Sequence, residues 1–137
     1  MKQEPPPATA RPDLLVRCAA ASGLVAVAAG AFAAHGLTDA RAQALAHTGA
    51  AYELAHALAA LLCAILARLG IGKARLAAAL FLAGQVVFSG SLYALCLGTP
   101  GWIGAATPIG GLGLLAGWAV LAWQGARVGQ RTAARRD

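Results

Sequence analysis

The sequence has little charge for its length. Only 12% of its 137 residues are charged and 59% are hydrophobic, whereas soluble domains carry about 25% charged residues. No charged residue occurs in the 51 positions from 76 to 126. Because a membrane-spanning helix needs roughly 20 apolar residues, this stretch accommodates two spans and a turn. It also lacks the charged outer faces that a soluble helical core requires. The composition predicts a single integral membrane domain.

Cysteine pairs and catalytic motifs are missing as well. Cys18, Cys63 and Cys96 show no CxxC or other paired spacing, so we interpret them as small buried thiols and not as disulfide partners or zinc ligands. No glycine stretch has a phosphate-binding pattern, and Ser89 and Ser91 lack a nucleophile elbow. The net charge of +6 comes from residues that flank apolar runs, which is typical of membrane topology and not of nucleic-acid binding. We therefore predict neither an enzyme nor a nucleic-acid partner.

Four apolar runs make up most of the chain, at residues 14–34, 50–69, 76–97 and 103–126. They predict an all-α integral membrane protein, a compact bundle of four transmembrane helices within residues 13–126. Residues 1–12 are rich in proline and polar residues, which predicts a disordered tail, and residues 127–137 form a basic tail. An alternative for the first run is a signal peptide cleaved after Ala33, but the run is longer than a usual signal-peptide core.

The basic residues predict the orientation of these spans. If all four runs cross the membrane, ten basic residues lie on the side of the two termini and Arg41 alone lies on the other side. The ten are Lys2, Arg11, Arg17, Arg68, Lys73, Arg75, Arg127, Arg131, Arg135 and Arg136. Since basic loops stay in the cytoplasm, both termini are expected to be cytoplasmic.

With this topology, most polar side chains of the spans gather in the outer half of the membrane. Glu53 and His56 are three residues apart and share one helix face, and we place them in the first turns of the second helix. Ser22 and Gln85 lie deeper and are left outside the group. The predicted polar cluster consists of His35, Tyr52, Glu53, His56, Ser89, Ser91, Tyr93 and Thr107.

Three functions for this cluster remain open. The favoured one is a hydrogen-bonded network that holds the helices together, and it requires no metal or other cofactor. The second is a metal or haem site in which His47, from the outer loop, adds a ligand to His35, Glu53 and His56. A di-iron version fails, because there is one Glu-x-x-His motif and no second intramembrane acid. The third is a proton or solute path.

Small and aromatic residues add a weaker signal in the last run. Gly113 and Gly117 have the GxxxG spacing that lets helix backbones approach closely, and packing within one chain is favoured over contact between copies. Three tryptophans lie toward the ends of this run, where aromatic belts occur: Trp102, Trp118 and Trp123.

Four sequence blocks carry a resemblance to a known family. They are "GAFAAHGL" at 30–37, the "Y…HALA" portion of "YELAHALAALL", "FSGSLYAL" at 88–95 and "TPIGG…AGW" at 107–118. In this order they resemble the small bacterial membrane family called domain of unknown function 423, which has a eukaryotic transmembrane relative. The resemblance implies a four-helix inner-membrane protein without an established activity. It also places five residues in the family pattern: His35, His56, Ser89, Ser91 and Tyr93.

Two residues depart from that family pattern. The family tends to have glutamine where Glu53 stands and glycine where Ala33 stands. If glutamine serves as well at position 53, an obligatory charge there is not expected, which favours the hydrogen-bonded network. We therefore expect a non-enzymatic accessory or structural protein of the bacterial inner membrane, surrounded by lipid, with a homo-oligomer or a larger membrane complex as its form of assembly. The alternative is a small transport or ligand- or metal-binding protein that uses His35, Glu53 and His56.

Overall fold

A computed structural model describes the backbone of residues 14–133 and the side chains of residues 14–125. It contains four α-helices, α1 (Leu14–His35), α2 (Ala40–Arg68), α3 (Ala74–Cys96) and α4 (Ala106–Ala133), and a short 3₁₀-helix, Gly101–Ala105, leads into α4. Four segments are long and apolar enough to cross a membrane, which confirms the predicted fold class. Helix α4 continues past residue 127, where a separate tail was predicted. The predicted tail at residues 1–12 lies outside the described residues.

Helix α2 begins ten residues before the apolar run from which it was predicted. Asp39 caps it, since its Oδ2 atom accepts a hydrogen bond from the backbone N–H of Ala42 at 2.7 Å. The next residues, "ARAQALAHTG", include four alanines and other good helix formers. The prediction of an outer loop containing His47 is therefore wrong. So is the placement of the Glu53 segment in the first turns, because Glu53 is the fourteenth of 29 residues in α2.

Glycines end the two central helices in the same way. Gly70 after α2 and Gly98 after α3 have φ values of +83° and +84°, a left-handed conformation that glycine adopts without strain. In each case the glycine N–H and the next N–H donate to carbonyls of the last turn, which is a Schellman motif. Both chain reversals are therefore short.

Each helix packs against the next one in the chain, and α1 touches α3 only lightly. Helices α2 and α3 form the centre, where most of the buried residues lie, while α1 and α4 flank them. The flanking helices expose large apolar side chains such as Leu24, Val27, Leu112 and Leu115, as expected for faces in contact with lipid. We call the two ends of the bundle the Asp39 end and the Lys73 end, after residues in the connections there.

Glycines bring α3 and α4 into backbone contact. A Cβ atom at Gly84 would lie 2.9 Å from the backbone nitrogen of Leu114, and one at Gly110 would overlap the backbone of Phe88. A Cβ atom at Gly113 would lie 3.1 Å from the Cα atom of Gly84. The side of Gly117 is covered by the ring of Phe81. Gly113 and Gly117 therefore pack against α3 of the same chain, as predicted.

Candidate functional site

A hydrogen-bonded group around Glu53 joins the three helices α1, α2 and α3. The Ser22 hydroxyl of α1 donates to Glu53 Oε1 at 2.7 Å, and the Tyr93 hydroxyl of α3 donates to Glu53 Oε2 at 2.7 Å. Gln85 Nε2, also of α3, donates to Ser22 Oγ at 2.6 Å. We call these four residues the Glu53 network. Each carboxylate oxygen thus accepts one hydrogen bond from a different neighbouring helix.

The network lies near the middle of the helices. Gln85 is the twelfth of 23 residues in α3, and Ser22 is the ninth of 22 in α1. Glu53 is only 7% exposed and Gln85 only 1%. Both partners of the carboxylate are hydroxyl groups and not basic side chains, and within the described part of the chain Gln85 Oε1 has no hydrogen-bond partner. Such a buried polar group in a membrane span is by default a candidate functional site.

Gly49 makes room for the tyrosine of this network. A Cβ atom at position 49 would lie 2.7 Å from Cε1 of Tyr93, so a larger residue there would displace the ring. The ring then extends along α2 toward Glu53, one turn away. The Ser89 hydroxyl donates to the carbonyl oxygen of Gly49 at 2.8 Å and adds a second bond between α2 and α3 at the same level.

His56 faces a different neighbour. The indole Nε1–H of Trp118 in α4 donates to His56 Nε2 at 3.2 Å. Because an indole N–H can only donate, His56 Nε2 must be the acceptor nitrogen of the imidazole. His56 Nδ1, 2.7 Å from the carbonyl oxygen of Tyr52, therefore carries the hydrogen and donates it. Both ring nitrogens are used within the protein, and neither has a lone pair left for a metal ion.

An apolar groove opens beside His56, between α2 and α4. Its volume is about 590 Å³, and aromatic rings line much of it. Tyr52 stacks on Phe88 with ring centroids 4.6 Å apart, and Trp118 also lines the groove. His56 is part of the lining and is only 8% exposed. We call this space, lined by Tyr52, His56, Phe88, Pro108, Leu112 and Trp118, the His56 groove.

The structure thus divides the predicted cluster into separate groups. Glu53 and Tyr93 belong to the Glu53 network, while Tyr52 and His56 line the His56 groove. Ser91 and Thr107 share a hydrogen bond of 2.6 Å that joins α3 to the start of α4, and Ser89 bonds to α2. His35 is exposed at the end of α1 and makes no hydrogen bond to the described residues. The expected meeting of His35, Glu53 and His56 does not occur.

Three residues of these groups were not predicted to belong to them. Ser22 and Gln85 were set aside because of their depth, and Trp118 was assigned to the aromatic belt. A usable signal was present, since strongly polar residues inside a span need partners wherever they lie. Grouping Ser22 and Gln85 with Glu53 on that ground would have found the network.

Metal ligation finds no support in these positions. Within residues 14–125, no group of three or more His, Cys, Asp or Glu side chains converges. The two histidines proposed as ligands have different surroundings. His35 is exposed, whereas His56 is hydrogen-bonded at both ring nitrogens. The contacts that the structure shows at these positions are hydrogen bonds and apolar packing.

Comparison with known proteins decides the family. Residues 29–111 match the family described as "Protein of unknown function (DUF423)". The chain belongs to this family. A UPF0382 membrane protein of Haemophilus influenzae is 44% identical over 107 residues, which cover 76% of this chain and 86% of the relative. The UPF0382 membrane protein YwdK of Bacillus subtilis is 42% identical over 108 residues, with 74% and 87% covered.

Another relative is named as an inner membrane protein. The UPF0382 inner membrane protein YgdD of Escherichia coli K12 is 41% identical over 107 residues, covering 75% of this chain and 82% of the relative. With the four apolar helices, these relatives make this chain a multi-pass membrane protein. No solved structure matches it.

Proposed function

We propose that this chain is a non-enzymatic accessory or structural protein of the inner membrane, which acts by contacting lipids and other membrane proteins. The main support is that the polar side chains of its spans bond to one another. Both carboxylate oxygens of Glu53 and both ring nitrogens of His56 have partners inside the protein. A catalytic acid, base or nucleophile instead needs a position that faces a substrate. What remains available for function is the surface.

The flanking helices offer the surfaces for such contacts. Leu24 and Val27 project from α1, and Leu112 and Leu115 project from α4, each more than 60% exposed. Lipid or another apolar helix can cover either face, because both are apolar. We propose that a second copy or another membrane protein covers one flank and lipid covers the other.

The experiment is extraction of the tagged full-length chain from its own membrane in polymer-bounded lipid particles, followed by measurement of particle mass and stoichiometry. We expect a defined homo-oligomer or one partner at a fixed ratio. The double variants L24A/V27A and L112A/L115A remove similarly exposed aliphatic side chains, and we expect only one of them to release the partner. Leu112 and Leu115 also line the His56 groove, so the second pair is compared with Leu112→Trp as well. A monomer with no stoichiometric partner in native lipid would contradict the proposal.

The proposal includes the orientation with both termini in the cytoplasm. Arg17, Arg68, Lys73 and Arg75 lie at the Lys73 end, and Arg41 lies at the opposite end, which supports this orientation by the positive-inside rule. Fusion of a reporter that is active only in the cytoplasm to the C-terminus should give a signal. A reporter active only outside the cytoplasm should then give none, and the reverse pattern would invert the assignment.

A second candidate function is the binding or transport of a small apolar ligand in the His56 groove. Its support is the aromatic lining and the volume of about 590 Å³, which lies within the usual size of ligand pockets. In that case Leu112→Trp, which fills the groove from its exposed wall, should remove a co-purifying ligand or a measured flux, as should His56→Ala. Retention of the fold in both variants has to be checked by thermal unfolding. Absence of any ligand from the folded wild-type protein would favour the structural function.

A further inference from the structure

A smaller groove lies at the Lys73 end, away from the residues discussed so far. It has a volume of about 360 Å³ and is lined by Lys73 from the start of α3 and by Ala119, Val120 and Trp123 from α4. The α2–α3 connection runs along its edge, since a Cβ atom at Gly72 would lie 3.9 Å from Gln124 Nε2. We call it the Lys73 groove. One of its lining side chains is cationic and the other three are apolar.

The charged side chains that the structure describes at this end of the bundle are all basic. Arg17, Arg68 and Arg75 are exposed at the same end of the bundle as Lys73. The only acidic residues in the described part of the chain are Asp39, at the opposite end, and Glu53, in the middle. The described side chains therefore contribute a positive potential at the Lys73 end, which attracts anions.

The combination of a cationic and an apolar lining favours one class of ligand. A free phosphate ion would be attracted to the Lys73 ammonium group but would make no contact with the apolar side chains. A lipid of zero net charge would contact the apolar side chains but would gain little from the positive charge. A phospholipid of net negative charge uses both. Trp123 is 60% exposed and lies near the end of its span, where tryptophan meets the headgroup level. The lysine stem is long enough to carry its ammonium group to that level as well.

We propose that the Lys73 groove binds one anionic phospholipid, whose phosphate contacts the Lys73 ammonium group and whose acyl chain lies along Ala119, Val120 and Trp123. Basic pockets between transmembrane helices are a recognised form of such sites. This site is independent of whether the chain also has a protein partner. Its occupant would link the α2–α3 connection to α4.

The test is a lipid titration of the purified full-length protein in detergent, followed by native mass spectrometry. The probes are phosphatidylglycerol and phosphatidylcholine with identical acyl chains. We expect phosphatidylglycerol to bind first and at one equivalent. Lys73→Gln should weaken this first binding about fivefold, the effect of one basic residue near an anionic headgroup. Ala119→Phe, which fills the groove without changing the charge, should weaken it at least as much.

Two controls separate a site from general attraction to positive charge. Arg41→Gln removes a cation from the opposite end and should leave the first binding unchanged. Arg75→Gln removes one from the same end but outside the groove lining, and it should have a smaller effect than Lys73→Gln. Thermal unfolding of every variant establishes that the fold is kept.

Three results would overturn the proposal. The first is equal affinity for the two lipids. The second is an equal loss in Lys73→Gln and Arg75→Gln, which would mean attraction without a site. The third is displacement of the lipid by inorganic phosphate at the same concentration, which would mean that the acyl chain contributes nothing.

Discussion

Two polar residues of α2, Glu53 and His56, lie one turn apart and yet have different surroundings. Glu53 is held in the interior by hydroxyl groups from α1 and α3. His56 bonds to the Trp118 indole of α4 and lines an apolar groove. Their exposed fractions are nearly the same, 7% and 8%. The difference between them therefore comes from the neighbouring helices and not from their degree of burial.

This comparison shows how a chain with few polar residues distributes them. Glu53 of α2 bonds to side chains of α1 and α3, whereas His56, also of α2, bonds to the Trp118 side chain of α4. Three residues turn the helix by about 300°, which is about 60° short of a full turn, and this difference in direction is enough to give the two side chains different neighbours. Glu53 joins α2 to α1 and α3, His56 joins α2 to α4, and together they connect all four helices.

Removal of the Glu53 side chain should have the largest effect. Glu53→Ala deletes two interhelical hydrogen bonds and leaves the partly buried hydroxyls of Ser22 and Tyr93 without this acceptor. We expect a loss of about 2 kcal/mol in the free energy of unfolding, measured by reversible unfolding in mixed micelles with increasing fractions of a denaturing detergent.

Glu53→Gln is the matched control for that loss. It retains an amide oxygen that accepts a hydrogen bond, and we expect it to lose less than about 1 kcal/mol. Equal losses in the alanine and glutamine variants would mean that the network depends on the carboxylate charge and not on hydrogen bonding.

Displacement of Tyr93 without loss of any polar group should have the next largest effect. In Gly49→Ala the new methyl group overlaps the Tyr93 ring, so the ring must move and its bond to Glu53 must lengthen. Overpacking of this kind costs about 1–2 kcal/mol. Gly90→Ala is the control, since a Cβ atom there meets nothing within 4 Å. If the two alanine variants unfold alike, Gly49 does not position Tyr93.

The sequence predicted the fold more fully than the arrangement of the polar groups. Four spans follow from run lengths and charge spacing, because lipid forces each apolar run into a continuous helix. The start of α2 was misplaced, since an apolar run marks the part of a helix that crosses lipid, whereas Asp39 and the alanines after it set where the helix begins. Glu53 was therefore assigned to a helix end.

The partners of each polar residue could not be predicted from one sequence. Helix periodicity places Glu53 and His56 on one broad face, but it does not give the crossing angles and offsets that bring Ser22 or Trp118 to them. Those offsets depend on where glycines allow backbones to touch, as at Gly84 and Gly110. A pairing of this kind is a property of packed helices and appears only when they are placed together.

Loss of the indole hydrogen bond should have a smaller effect on the His56 side. Trp118→Phe keeps an aromatic ring in the groove wall but removes the donor to His56 Nε2. We expect a loss of about 0.6 kcal/mol and a change in the ¹⁵N chemical shifts of the His56 ring, because Nε2 loses its fixed partner. Trp102→Phe, at an exposed tryptophan, should change neither. Unchanged His56 shifts in Trp118→Phe would contradict the assigned hydrogen bond.

The smallest effect is expected at His35. It distinguishes the observed arrangement, in which His35 and His56 do not meet, from the predicted metal site, in which they share a metal ion. His35 is exposed and has no hydrogen bond to the described residues, so His35→Ala should change the free energy of unfolding by no more than about 0.5 kcal/mol. His56→Ala should cost clearly more, because it leaves the Trp118 indole without its acceptor. If His35 and His56 shared a metal ion, both variants would release it and both would lose similar stability. Elemental analysis of the purified protein and of each variant, beside the unfolding curves, therefore tests whether the two histidines act together or apart.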